Sequence, residues 1–77
     1  MSGHIINSVS DIGYQVWLKR RALGMTQVQV ADLCGVGVRF ISELENGKST
    51  IEMGRAIKVL SKLGLLVYVQ QDLQADT

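Results

Sequence analysis

Cysteine and histidine are almost missing from this 77-residue chain, which has one of each. A lone thiol cannot close an internal disulfide, so Cys34 excludes a disulfide-stapled scaffold and argues against a cysteine-based zinc site. It reads instead as a small core residue. His4 sits in an N-terminal stretch with neither helical nor strand pattern, so a nucleophile, base and acid are hard to assemble and a metal cluster harder still. The acidic residues show no paired spacing. These gaps lead to the expectation of a protein that is not an enzyme and uses no cofactor or metal. No apolar run approaches the roughly 20 residues that span a bilayer, and the N-terminus has no basic-then-apolar signal pattern. The expected location is the cytoplasm. Excess charge is missing too: the formal net charge is only +1, which is little for a protein that would hold phosphates.

What the chain does have is concentrated between Met25 and Lys48, MTQVQVADLCGVGVRFISELENGK. Thr26 and Gln29 have the spacing of a capping box, in which the hydroxyl accepts from the third helical amide and Gln29 reaches back to the cap. A short helix is expected from Gln27 to Cys34, with Val30, Ala31 and Cys34 on one face. Gly35 can take the left-handed conformation that closes it, and Val36 supplies an apolar plug under the turn. A second helix is expected from Gly37 or Val38. It puts Ile41, Leu44 and Glu45 on one face and Arg39, Ser42, Glu43 and Asn46 on another, and Gly47 stops it. Two helices of roughly two turns each, joined by a short turn with a glycine, make a helix-turn-helix whose second helix is placed to enter a DNA groove.

Two charges stand where apolar residues are expected. Ile12, Val16 and Leu23 mark the buried stripe of an earlier helix, and Arg20 falls on that stripe. Glu45 falls on the core face of the second short helix in the same way. Two opposite charges on two inward faces predict a structural ion pair between Arg20 and Glu45 that clamps the second helix to the first. Removing one partner of such a pair costs about 3 to 5 kcal/mol.

On these residues the chain resembles the Cro and lambda-repressor-like helix-turn-helix family. The family pattern of a Thr-Gln start, an Ala, a Gly-Val turn, an Ile and a closing Leu-Glu-Asn-Gly-Lys is met by Thr26, Gln27, Ala31, Gly35, Val36, Ile41, Leu44, Glu45, Asn46, Gly47 and Lys48. Asp11 to Gly24 resembles the family's first helix. Ser49 to Val69 resembles the C-terminal part of HipB-like antitoxins, a helix and then a short strand. The resemblance implies that Gln27, Asn46 and Lys48 grip DNA phosphates while Val38, Arg39, Ser42 and Glu43 face base edges. Arg39 would suit a guanine, Glu43 a cytosine and Val38 a thymine methyl. An alternative for Arg39 and Glu43 is an i, i+4 ion pair on a solvated face. Gly37 departs from the small hydroxyl residue the family often has there.

Beyond Lys48, Ser49 or Thr50 can cap another helix with Met53, Ala56, Ile57, Leu60 and Leu63 as its buried stripe and Arg55, Lys58 and Lys62 facing out. Gly64 ends it, and Leu65 to Gln70 is β-branched and aromatic enough to be a strand. A lone strand is a liability unless something pairs with it. A core this small rarely supplies more than about 3 to 5 kcal/mol, so oligomerisation is the staple left to a chain without disulfide or metal. Together these predict a homodimer joined by a two-stranded antiparallel sheet, with Leu65, Val67 and Val69 on one face and Leu66 and Tyr68 on the other.

The expected fold is therefore all-α, a lambda-repressor-like helix-turn-helix bundle of four to five short helices with one C-terminal dimerising strand. Its expected divisions are an arm over residues 1–8, the DNA-binding domain over 9–64, the strand over 65–70 and a tail over 71–77. Tyr14, Trp17 and Leu18, with Val28 and Leu33, lie off the expected core stripes and form a candidate protein-partner surface. The resemblance implies a sequence-specific repressor of a near-palindromic operator in double-stranded DNA. It further implies an antitoxin that binds a HipA-like kinase toxin and represses their shared operon. The alternatives are a stand-alone phage-type regulator and a protein-binding module without DNA affinity.

Overall fold

In a computed structural model, which describes residues 3–74, the chain forms four helices: α1 Val9–Ala22, α2 Gln27–Cys34, α3 Val38–Glu45 and α4 Met53–Lys62. The outer ends of the expected arm and tail, residues 1–2 and 75–77, lie outside the described residues. α1 opens from an extended Ser8 without a side-chain cap, and Asp11 in its first turn accepts from the Asn7 N–H at 2.7 Å. Lys19, Arg20 and Arg21 fill its last turn, where the helix dipole favours cations. α2 carries the full capping box: Gln29 N–H donates to Thr26 Oγ1 at 3.1 Å, and Thr26 N–H donates to Gln29 Oε1 at 2.8 Å. All four helices end in one way, with a glycine at positive φ (Gly24, Gly35, Gly47, Gly64) and backbone bonds that fold back onto the last turn.

α3 lies against both α1 and α2, and α4 packs on α2. The core between them is Val16, Val30, Ala31, Cys34, Phe40, Ile41, Leu44, Ala56, Val59, Leu60 and Leu63, with Ile12, Val36 and Ile51 packed at its edge. α1 and α3 cross closely because Gly13 has no side chain: a Cβ there would strike the Leu44 carbonyl oxygen.

Three sequence expectations change. Leu23 is half exposed rather than on the buried stripe, because it is the cap residue at which α1 gives way to the Gly24 turn. The cap of α4 is Glu52, not Ser49 or Thr50: its carboxylate accepts from the amides of Gly54 at 2.9 Å and Arg55 at 2.7 Å. Residues 48–51 are used by a turn, closed by the Ile51 N–H to Lys48 carbonyl bond, that drops Ile51 onto the core. The buried stripe of α4 is Ala56, Val59, Leu60 and Leu63, while Met53 and Ile57 are exposed. With α2 as its main neighbour, α4 buries only a narrow stripe.

The architecture is the all-α helix-turn-helix bundle, with four helices among the described residues against the expected four to five. Residues 65–70 form no strand in the single chain; Leu65 packs on the core, and Leu66 and Val69 are 87% and 96% exposed. Among the described residues no helix is long and apolar enough to cross a membrane.

Candidate nucleic-acid interface

Arg20 and Glu45 meet across the bundle. Arg20 Nε donates to Glu45 Oε2 at 2.7 Å and Arg20 Nη2 to Glu45 Oε1 at 3.0 Å, a two-pronged pair with side chains only 12% and 6% exposed. Its remaining contact is equally specific: Arg20 Nη1 donates to the Met25 carbonyl at 3.0 Å. Gln27 Nε2 donates to Glu45 Oε1 at 3.1 Å. One cluster thus ties the last turn of α1, the following turn, the start of α2 and the end of α3. The Glu45 hydrogen bonds hold the guanidinium pKa above its ordinary value against the opposing effect of burial. Held this way, α3 cannot rotate about its axis without breaking charge-assisted bonds.

The fixed orientation turns one face of α3 outward. Val38 and Arg39 are exposed, with the Arg39 side chain 89% free, and Ser42 and Glu43 follow one turn later, partly buried. Glu43 is engaged. Lys48 Nζ donates to its Oε2 at 3.1 Å and Arg39 Nε lies 3.4 Å from the same oxygen. The Lys48 hydrogen bond first, then the charges of Lys48 and Arg39, hold its carboxyl below the usual carboxylate range. Asn46 Nδ2 donates weakly to Ser42 Oγ at 3.5 Å. Gln27 and Asn46 line one open groove with Ser10, Tyr14 and Trp17, so two of the three residues assigned to phosphates come together. Lys48, the third, is drawn to Glu43 instead. A second groove runs from Arg21 past Thr26 and Val28 to Val38, joining the start of α2 to the start of α3.

Sequence reasoning passed over Phe40 and Gly13. Phe40 is buried and packs under the Arg55 guanidinium at 5.6 Å. Its place beside Ile41 and four residues before Leu44 is the signal that could have found it. Gly13 offers no such signal, since only the crossing partner reveals that its missing side chain matters. Leu18 is exposed on α1, and Tyr14 and Trp17 stack with ring centroids 6.1 Å apart. Cys34 is buried, and burial pushes its thiol pKa up, as befits an inert core residue.

A short helix clamped by a part-buried ion pair, its flanks lined with amide and cationic donors, is the arrangement of a DNA-binding helix-turn-helix. The chain belongs to the helix-turn-helix family, whose pattern matches residues 18–66. It is 41% identical over 59 residues to the uncharacterized HTH-type transcriptional regulator y4mF of Sinorhizobium fredii (strain NBRC 101917 / NGR234), a match spanning 77% of this chain and 78% of that protein. Among solved structures it superposes on a HipB variant in an O2 20mer complex with a TM-score of 0.80 and 26% identity, over 91% of this chain and 97% of the matched one. A HipA-HipB-O2-O3 complex gives a TM-score of 0.79 and 25% identity, over 90% of this chain and 97% of the matched one.

Proposed function

We propose that this protein is a dimeric, sequence-specific repressor that reads its own operator and serves as the antitoxin to a HipA-like kinase toxin, in the cytoplasm. The observation that carries the DNA reading is the clamp: Arg20 and Glu45 hold α3 with Val38, Arg39, Ser42 and Glu43 outward. These four face base edges, and Gln27, Asn46 and Lys48 hold phosphates. Two copies pair through residues 65–70, which follow the domain of residues 9–64 as its dimerisation strand, the terminal segments 1–8 and 71–77 lying outside both units. Half-sites are then spaced about one helical turn, roughly 34 Å, or a multiple of it. The antitoxin role is supported by the likeness to HipB, seen in complexes with O2 and O4 20mers and with HipA. No catalytic step is involved.

Fluorescence anisotropy of the chain against a duplex from its own promoter and a scrambled duplex, at about 150 mM salt, tests the DNA reading. A promoter affinity near 10⁻⁸ M or tighter, about 10³-fold above the scrambled duplex, is expected. Equal, weak binding to both would sink it. Co-expression with a HipA-like kinase, followed by purification of the pair, tests the antitoxin half separately.

A further inference from the structure

The sequence alone places Tyr14 and Trp17 with Leu18 on a protein-partner surface. We infer instead that Tyr14 and Trp17 are a DNA-backbone platform that continues the phosphate track of Gln27 and Asn46, an inference that rests on the operator-binding reading. Three observations carry it. The two rings share an open groove with Gln27 and Asn46, between the start of α2 and the end of α3, so a backbone strand held by those amides runs against them. Ser10, Tyr14, Trp17 and Arg21 recur at helical spacing on α1 and form a single stripe of hydroxyl, phenol, indole and guanidinium groups. Every one can donate a hydrogen bond, and none is an acid.

The third is electrostatic. Arg21 lies over the Trp17 ring at 5.5 Å and so puts a positive charge beside one of the groove's two rings. The acid at the groove floor, Glu45, is neutralised by Arg20. Such a wall suits a polyanion better than an apolar protein anchor. From Ser10 to Arg21 the stripe is roughly 16 Å long at 1.5 Å per residue, and one strand advances about 3.4 Å per nucleotide along the duplex axis. Because the strand also winds around that axis, its phosphates lie farther apart than this rise, and the stripe spans a short run of about two or three of them. Leu18 lies outside this groove and stays available to a protein.

The test compares the parent chain with the double variant Tyr14→Phe, Trp17→Phe, which keeps two rings and removes two donors. Both are titrated by anisotropy against the labelled promoter duplex and the scrambled duplex at several salt concentrations. The expected result is about tenfold weaker binding to both duplexes, with an unchanged slope of affinity against salt, because neutral donors release no counterions. Thermal midpoints should coincide, and emission from Trp17, the sole tryptophan, should change when the parent meets DNA. If the parent binds its promoter and the variant stays within twofold of it, the platform does not exist. Loss of affinity that tracks a fall in thermal midpoint would mean packing, and would equally overturn the assignment. A variant that keeps DNA affinity but no longer co-purifies with a co-expressed HipA-like kinase would make the surface a protein dock. Were the parent to bind neither duplex, the operator reading itself would fall and the platform with it.

Discussion

Arg20 and Glu45 decide where α3 points, and they do so with charges almost out of water. Glu45→Gln keeps the shape and leaves the guanidinium without its counter-charge; the expected loss is about 3 kcal/mol, a fall in melting temperature of about 10 °C or more in a domain of this size. An unchanged calorimetric midpoint would refute the clamp. Glu43 makes the opposite case. It is partly buried but its two partners are exposed and screened by water, so its pairs with Lys48 and Arg39 govern binding rather than stability. Its folded pKa is depressed below 4.5, so the pairing is complete above that value and fades as pH falls through the depressed pKa. At neutral pH, Glu43→Gln releases Lys48 toward phosphates and leaves Arg39 without its acidic partner at the base edges. Affinity for scrambled DNA should rise severalfold while discrimination falls, and an unchanged ratio of promoter to scrambled binding would contradict a base-reading role. The Arg20 and Glu45 pair was legible because each breaks an apolar stripe. The Lys48 contact was not, since Lys48 follows the Gly47 turn and only the folded backbone turns it toward Glu43.

At the scale of elements, what the sequence made readable depended on whether the signal was local. The start of α2 was readable to the residue because Thr26 and Gln29 satisfy each other within one turn. The start of α4 was not. Ser49 and Thr50 are better caps by propensity, yet the need to seat Ile51 on the core carries the chain past them to Glu52. Replacing Glu52 with Ala should cost about 1 kcal/mol by denaturant unfolding, whereas Ser49→Ala and Thr50→Ala should leave the midpoint where it is. The crossing of α1 and α3 was likewise hidden in sequence. Gly13→Ala drives a methyl into the Leu44 carbonyl, and the expected cost is at the top of the range of about 1 to 3 kcal/mol seen for overpacking, because the obstacle is backbone. A variant as stable as the parent would mean that the helices can separate freely, against the close packing described.

The whole molecule carries more apolar surface than four short helices can cover. Met53, Ile57, Leu66, Val67, Tyr68 and Val69 all stand in solvent in the single chain. Residues 65–70 read as a strand only through their need for a partner; a ladder of two strands has no counterpart within one chain, and a single copy displays no strand there. Val67→Pro removes an amide that such a ladder would use. Light scattering at micromolar concentration is expected to give a dimeric mass for the parent and a monomeric one for the variant, with operator affinity falling alongside. A variant that remains dimeric would place the contact elsewhere.

The glycine closures give the chain a kinetic character as well. Each helix is finished by bonds to its own last turn, and the connections at 23–26, 35–37 and 46–52 are short. Native contacts are therefore mostly near in sequence, the regime in which small helical domains fold in microseconds to milliseconds. Joining two copies is a bimolecular event whose pace depends on how many are present. On the proposed pairing, a freshly made chain would be folded long before it is paired, and abundance rather than folding would time the onset of the proposed repression.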